Sequence, residues 1–242
     1  MMLSAMWYIA GKGKGDRNMV IVPYSDRLVL LSRYLQQLVM ESLGKELDLE
    51  GKVCHQGLNV FGNKGGTDAH AFIQQLNDGR DDFFATFIEI LADAEKIDLG
   101  DGNSMGDYLH GFCAGLTEAL RSKGRQTISI KLPRLTVFEL GMIIALYERA
   151  VAIYAEFINI NAFHQPGVQA YKLAATGELE LKAKLDAAFK NMAGFSGSAE
   201  EIAKASGAAE SAAAVEGWLR RMAANGSVTA EYKNTQWIYI IK

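Results

Sequence analysis

The chain has 242 residues, 49% of them hydrophobic and 22% charged, enough to bury one good-sized core and a small second one. Its formal net charge of −3 excludes general polyanion binding as the default reading, because phosphate-backbone affinity needs clustered lysine and arginine. Two cysteines, Cys54 and Cys113, supply neither a disulfide framework nor the roughly four ligands of a structural zinc site, so a reducing compartment is the simpler expectation.

Apolar stretches are broken by charge within about 18 residues, so no membrane span is expected. The start, MMLSAMWYIAGKGKG, lacks a small-residue cleavage site after its apolar stretch and does not read as a signal peptide; it is expected to be the cut end of a buried helix. From Met19 onward, short β-branched runs alternate with helical patterns. MVIVP is followed by a helical stretch over Asp26 to Gly44, and LNVFG by one over Thr67 to Asp78. FFATFIEIL is followed by one over Gly106 to Lys123, and then comes TISIKL. Strand–helix repetition of this kind predicts a mainly parallel sheet covered by helices on both faces, an α/β three-layer sandwich. Leu109, Phe112, Cys113, Leu116 and Leu120 fall on one stripe of a 3.6-residue period, predicting a core-facing helix. Thr136 with Glu139 three positions on forms a capping box opening a long helix to Ile158.

After Thr176 the composition changes, with ten alanines between residues 199 and 224. Helix, turn and helix lead to Asn225-Gly226, a strong turn signal, and then to SVTAEY and QWIYII. This order predicts a small helical, winged-helix-like unit over 177–242, following a larger domain over 1–176. Eight Lys or Arg against eight Asp or Glu over 176–242 imply no basic face, so packing or dimer contact is preferred to DNA binding.

Three polar islands hold the residues fit for chemistry. In the stretch QQLVMES, Glu41 lies near the end of an amphipathic helix one turn after Gln37. A carboxylate so placed is ordinarily a solvated charge, but partial burial would suit it as a base. His70 lies in GNKGGTDAH, where the glycine pair permits a tight turn and Thr67 or Asp68 can cap the next helix. This turn is neither the Walker nor the dinucleotide fingerprint. The third island, FHQPGVQAYK, breaks the chain at Pro166-Gly167 and places Lys172 two turns beyond Gln165. His55 and His110 show no metal-like spacing, and no His, Cys and carboxylate cluster argues for a metal or other cofactor.

Taken together, the islands closely resemble the C-terminal half of the glucose-6-phosphate isomerase (phosphoglucose isomerase) family, over about residues 6 to 176. The resemblance implies a second sugar-isomerase domain and interconversion of glucose 6-phosphate and fructose 6-phosphate through a cis-enediol, with no cofactor. It assigns Glu41 as the proton-shuttling base, His70 and Lys172 to ring opening, and Gln165 to the sugar phosphate, with Gln37 lining the site. It further implies a homodimer in which His70 works across the subunit interface, and a cytoplasmic location, or a plastid one should a transit segment precede Met1. His164 stands where relatives carry aspartate or histidine. Gln169 and Tyr171 depart from the family pattern, which has glutamate and glycine there. The family's Ser/Thr-rich phosphate loop and its Gly-Gly-Arg segment have no counterpart, so the chain is expected to partner a missing N-terminal half and to be inactive alone. The alternative is a non-catalytic sugar-phosphate-binding or dimerisation module, with neither nucleic acid nor membrane as partner.

Overall fold

A computed structural model describes the backbone of residues 1–242 and every side chain but that of Ala69. The chain divides into two compact units, Met1–Gln165 and Pro166–Lys242.

The first unit begins with helix α1 (Met2–Ala10), strand β1 (Asn18–Tyr24), a 3-10 turn at Asp26–Leu28 and helix α2 (Leu31–Leu43). Next come β2 (Lys45–Leu47) and β3 (Val53–Gln56), an antiparallel pair, then β4 (Val60–Phe61) and α3 (Ala69–Asp78). It is completed by β5 (Phe83–Ile90), α4 (Met105–Ser122), β6 (Gln126–Leu132) and α5 (Val137–Phe157). Four strands form a parallel sheet in the order β4-β1-β5-β6. β5 is apolar almost throughout because a central parallel strand is covered on both sides.

Alternation along the strands divides the core into two layers. Met19 and Ile21 of β1 and Phe84 and Ile88 of β5 pack with Trp7 of α1, Leu35 and Val39 of α2, and Tyr147 and Tyr154 of α5. Val20, Val22, Phe83, Ala85 and Phe87 pack instead with Leu76 of α3 and with Cys113 and Leu120 of α4. Helices therefore cover both faces of the sheet, as expected. Full burial of each large side chain in these layers contributes about 1.5–3 kcal/mol.

Local signals explain the boundaries. Thr136 caps α5 with the reciprocal Glu139 bond of a capping box, as its sequence predicts, and Ser104 with Asp107 does the same for α4. Phe112 corrects the expected stripe: Cys113 and Leu120 are buried and Leu109 and Leu116 pack against them, but Phe112 is 60% exposed. One position before Cys113, it is rotated about 100° from it around the helix axis and leaves the buried face. The expected helix from Asp26 opens as a 3-10 turn instead, and regular α-helix begins at Leu31.

The second unit comprises α6 (Pro166–Phe189), β7 (Ser196–Gly197), α7 (Ala199–Ala205), a 3-10 turn at Ala209–Ser211, α8 (Ala212–Ala224), β8 (Val228–Lys233) and β9 (Gln236–Ile241). Its antiparallel sheet has the order β7-β9-β8. A separate core gathers Leu185, Ile202, Val215, Leu219, Val228, Tyr239 and Ile241. Asn225 ends α8 and Gly226 takes a positive φ, while the hairpin turns at Asn234 and Thr235, also at positive φ. Among the described residues, no helix is long and apolar enough to cross a membrane.

Candidate functional site

Gln37 and Glu41 lie one turn apart on α2, whose residues Leu31, Leu35, Val39 and Leu43 are buried against the sheet. The i,i+4 spacing places the two polar side chains on one face, and Gln37 Nε2 donates to Glu41 Oε2 at 3.3 Å. Glu41 is half-buried and Gln37 exposed. Gln36 fixes the same helix from its neighbouring side, its Nε2 donating to the Val60 carbonyl at 3.1 Å. At the helix end, Lys45 is 4% exposed and donates to the carbonyls of Glu41 (3.2 Å) and Ser42 (2.7 Å). An ammonium there satisfies carbonyls left over at the helix terminus and complements its dipole. Burial pushes the Lys45 amine below its usual range, while the Glu41 carboxylate draws it back up.

The turn after β4 carries the second island. A Cβ on Gly62 would stand 1.9 Å from the Ile21 carbonyl oxygen, so only glycine lets this segment pass β1, and Gly66 takes φ +84°. Asp68 occupies the position before α3 but does not cap it, which corrects the expected role. Its carboxylate turns back, accepting from the Lys64 N–H at 3.1 Å and from Thr67 Oγ1 at 3.3 Å, and so holds the loop rather than the helix. His70 is exposed in the first turn of α3. Phe72 and Leu76 of α3 belong to the core layer opposite that of α2, so Glu41 and His70 project from helices on opposite faces of the sheet.

Gln165 is exposed at the end of the first unit. It follows a turn in which Asn161 Oδ1 accepts from the Phe163 N–H at 2.8 Å, and His164 Nδ1 lies 3.1 Å from the Asn161 carbonyl. Lys172 is exposed in the second turn of α6, beside the exposed Gln169 and Tyr171. The structure thus brings Gln37 and Glu41 into contact, while His70, Gln165 and Lys172 each stand on a different element and face solvent.

One cluster has no counterpart among the sequence motifs. Glu89, at the end of β5, is 7% exposed. It meets His110 Nδ1 through one carboxylate oxygen and Lys131 Nζ through the other, the latter at 3.3 Å. A carboxylate this buried requires such compensation. The signal was a charge interrupting the apolar run FFATFIEIL, a pattern that should prompt a search for a partner. Cys113, one turn beyond His110, has its thiol pushed up to about 12, chiefly by burial, and is inert as a nucleophile.

The comparisons agree on one family. A family model described as phosphoglucose isomerase matches residues 1–123 and 118–201. The chain is 51% identical over 226 residues to a glucose-6-phosphate isomerase of Geobacter sulfurreducens, an alignment covering 93% of this chain and 42% of the relative. It is 50% identical over 238 residues to that of Geotalea daltonii, covering 97% and 45%. Against the Prochlorococcus marinus enzyme it is 54% identical over 185 residues, covering 76% and 34%. The chain therefore spans less than half the length of these relatives. The crystal structure of a glucose-6-phosphate isomerase from Chlamydia trachomatis superimposes with a TM-score of 0.68 at 26% identity, over 75% of this chain and 38% of that one. The sandwich, the polar helix end at Glu41 and these alignments lead to one conclusion: the chain belongs to the phosphoglucose isomerase family.

Proposed function

We propose that this chain supplies the C-terminal part of a glucose-6-phosphate isomerase, interconverting glucose 6-phosphate and fructose 6-phosphate in glycolysis and gluconeogenesis. Membership of the family supports this reading, and the observation that carries it is the oriented pair at the end of α2. There Gln37 holds the Glu41 carboxylate at 3.3 Å, on a helix whose last turn is fixed by Lys45. A carboxylate so held suits a base that must meet two adjacent carbons in turn.

In the proposed reaction, Lys172 and His70 move protons at the ring oxygen and the anomeric hydroxyl to open the sugar. Glu41 then removes the proton from C2 of the aldose. The electron pair forms the C1–C2 double bond of a cis-enediol as the carbonyl oxygen at C1 gains a proton. Return of the proton from Glu41 to C1, with loss of the hydroxyl proton at C2, yields the ketose with no net oxidation. Gln165 is assigned to the sugar phosphate. Because α2 and α3 lie on opposite faces of the sheet, His70 is proposed to serve the site of a partner subunit in a homodimer, rather than the site of its own Glu41. We assign the larger part, 1–176 on the sequence reading, to a sugar-isomerase domain and 177–242 to a winged-helix-like tail; the helix–strand–helix–helix–hairpin order that supports the tail begins with α6, so its compact unit starts at Pro166. A cytoplasmic location follows from the proposed glycolytic role.

Transition-state charge without its preorganised donors costs roughly two to three orders of magnitude in rate, so the chain alone should be inactive or very weak. The test is a coupled assay for conversion of fructose 6-phosphate to glucose 6-phosphate, on this chain alone and after mixing with the N-terminal part of a relative. Activity confined to the mixture supports the proposal. Sugar-phosphate binding without turnover in either sample would favour a non-catalytic binding module.

A further inference from the structure

The turn that presents His70 lacks the usual means of holding a helix start. β4 is a two-residue strand at the sheet edge, and α3 begins without a side-chain cap, so that stabilisation of its first turn is missing. The glycine pair Gly65-Gly66 adds backbone freedom that only tethering removes.

The tethers come from the chain leaving β1. The Gly65 N–H donates to the Pro23 carbonyl at 2.9 Å, and a Cβ on Gly65 would stand 2.4 Å from the Tyr24 ring. Lys64 contributes twice. Its main-chain N–H donates to the Asp68 carboxylate at 3.1 Å, two residues before His70. Its ammonium pairs with Asp26, in the 3-10 turn that leads to α2. The Lys64 side chain is 16% exposed and that of Asp26 85%. A mostly covered ammonium requires its anion, so the lysine keeps one position although its partner lies at the surface.

We propose that Lys64 is a positioning residue for the isomerase reaction: anchored on Asp26, it fixes the turn from which His70 projects and so places the imidazole for ring opening. This rests on the assignment of His70 to that step. An ion pair half open to solvent adds little to global stability. Its effect falls on local opening of the turn, which is governed by a far smaller free energy than unfolding. A displacement of about 1 Å at a group that transfers a proton costs roughly a hundredfold in rate, so a weak tether has a large kinetic effect.

The test compares two substrates of the complemented enzyme, each followed by proton NMR. Fructose 6-phosphate must be opened, whereas 5-deoxyfructose 6-phosphate lacks the hydroxyl that closes the ring. Lys64→Met keeps the length of the side chain but loses its charge. It should lower kcat about tenfold on fructose 6-phosphate and leave the open-chain substrate unchanged. Asp26→Asn should reproduce this selective loss, the double variant should be no slower than either single one, and Lys64→Arg should restore most of the rate. An equal loss on both substrates would mean a merely structural role and overturns the proposal, as does no loss on either. His70→Ala separates the two readings. If it spares fructose 6-phosphate, the ring-opening assignment fails and the positioning role with it; if it is selective and Lys64→Met is not, only the positioning role fails. Amide exchange in the chain alone reads the tether apart from turnover. The bonded N–H groups of Gly65 and Ala71 should exchange about fivefold faster or more in Lys64→Met, with β5 and β6 unchanged; unchanged exchange at both overturns the proposal.

Discussion

Lys45 Nζ lies 3.2 Å from the main-chain oxygen of Glu41, so the residue proposed as the catalytic base sits in a helical turn tied down by a buried ammonium. Lys45→Met should leave the carbonyls of Glu41 and Ser42 without that donor. A loss of about 1–3 kcal/mol is expected in urea denaturation, with faster amide exchange in the last turn of α2. Unchanged exchange there would remove Lys45 from this positioning role.

Glu41→Gln preserves size and a hydrogen bond to Gln37 but cannot accept a proton. In a complemented enzyme it should lower turnover by about 10²–10⁴, with a melting curve like that of the wild type. Turnover within a factor of two of the parent would exclude Glu41 as the base.

Glu139 provides a pH test of the α5 cap. The Thr136 hydroxyl, followed by the Thr136 N–H and Arg134, holds its carboxyl at about 2, below the ordinary 4.5. A folded-state value below the unfolded one means that the unfolded chain binds more protons between the two. The capping contribution is therefore fully present above about pH 4.5 and is lost as pH falls toward about 2. Thr136→Val should flatten this part of the stability–pH curve; an identical curve would show that the cap is not the source.

Leu219 tests the second core. It is fully buried on α8 among Val215, Ile202 and Tyr239, so Leu219→Ala should cost about 2–5 kcal/mol. Amides of α8 and β9 should lose protection while those of β1 and β5 keep theirs. Equal loss in both units would mean that they unfold together.

Gly62→Ala should also be costly, by roughly 1–3 kcal/mol, because the new methyl group would strike the Ile21 carbonyl. A thermal melt matching the wild type would show that the strand can yield there.

Local sequence patterns determined the alternating strands and helices and the capping box at Thr136, and a change of composition marked the alanine-rich tail, because each depends on residues close together in the chain. The three polar islands likewise sufficed to indicate the family, since each is a short run of neighbouring residues. Contacts between distant segments were decided only by tertiary structure. Phe112 belonged to the apolar stripe by spacing, yet the sheet reaches only as far around α4 as Cys113. Asp68 had the right position for a cap, but the folded loop offered it the Lys64 N–H instead. His110 has the pattern of an ordinary helix residue, and only the fold brings Glu89 of β5 to it from 21 positions away. The placement of Glu41 and His70 on opposite faces was equally invisible, since which side of a sheet a crossover helix covers is set by strand order, and strand order is not written in local periodicity.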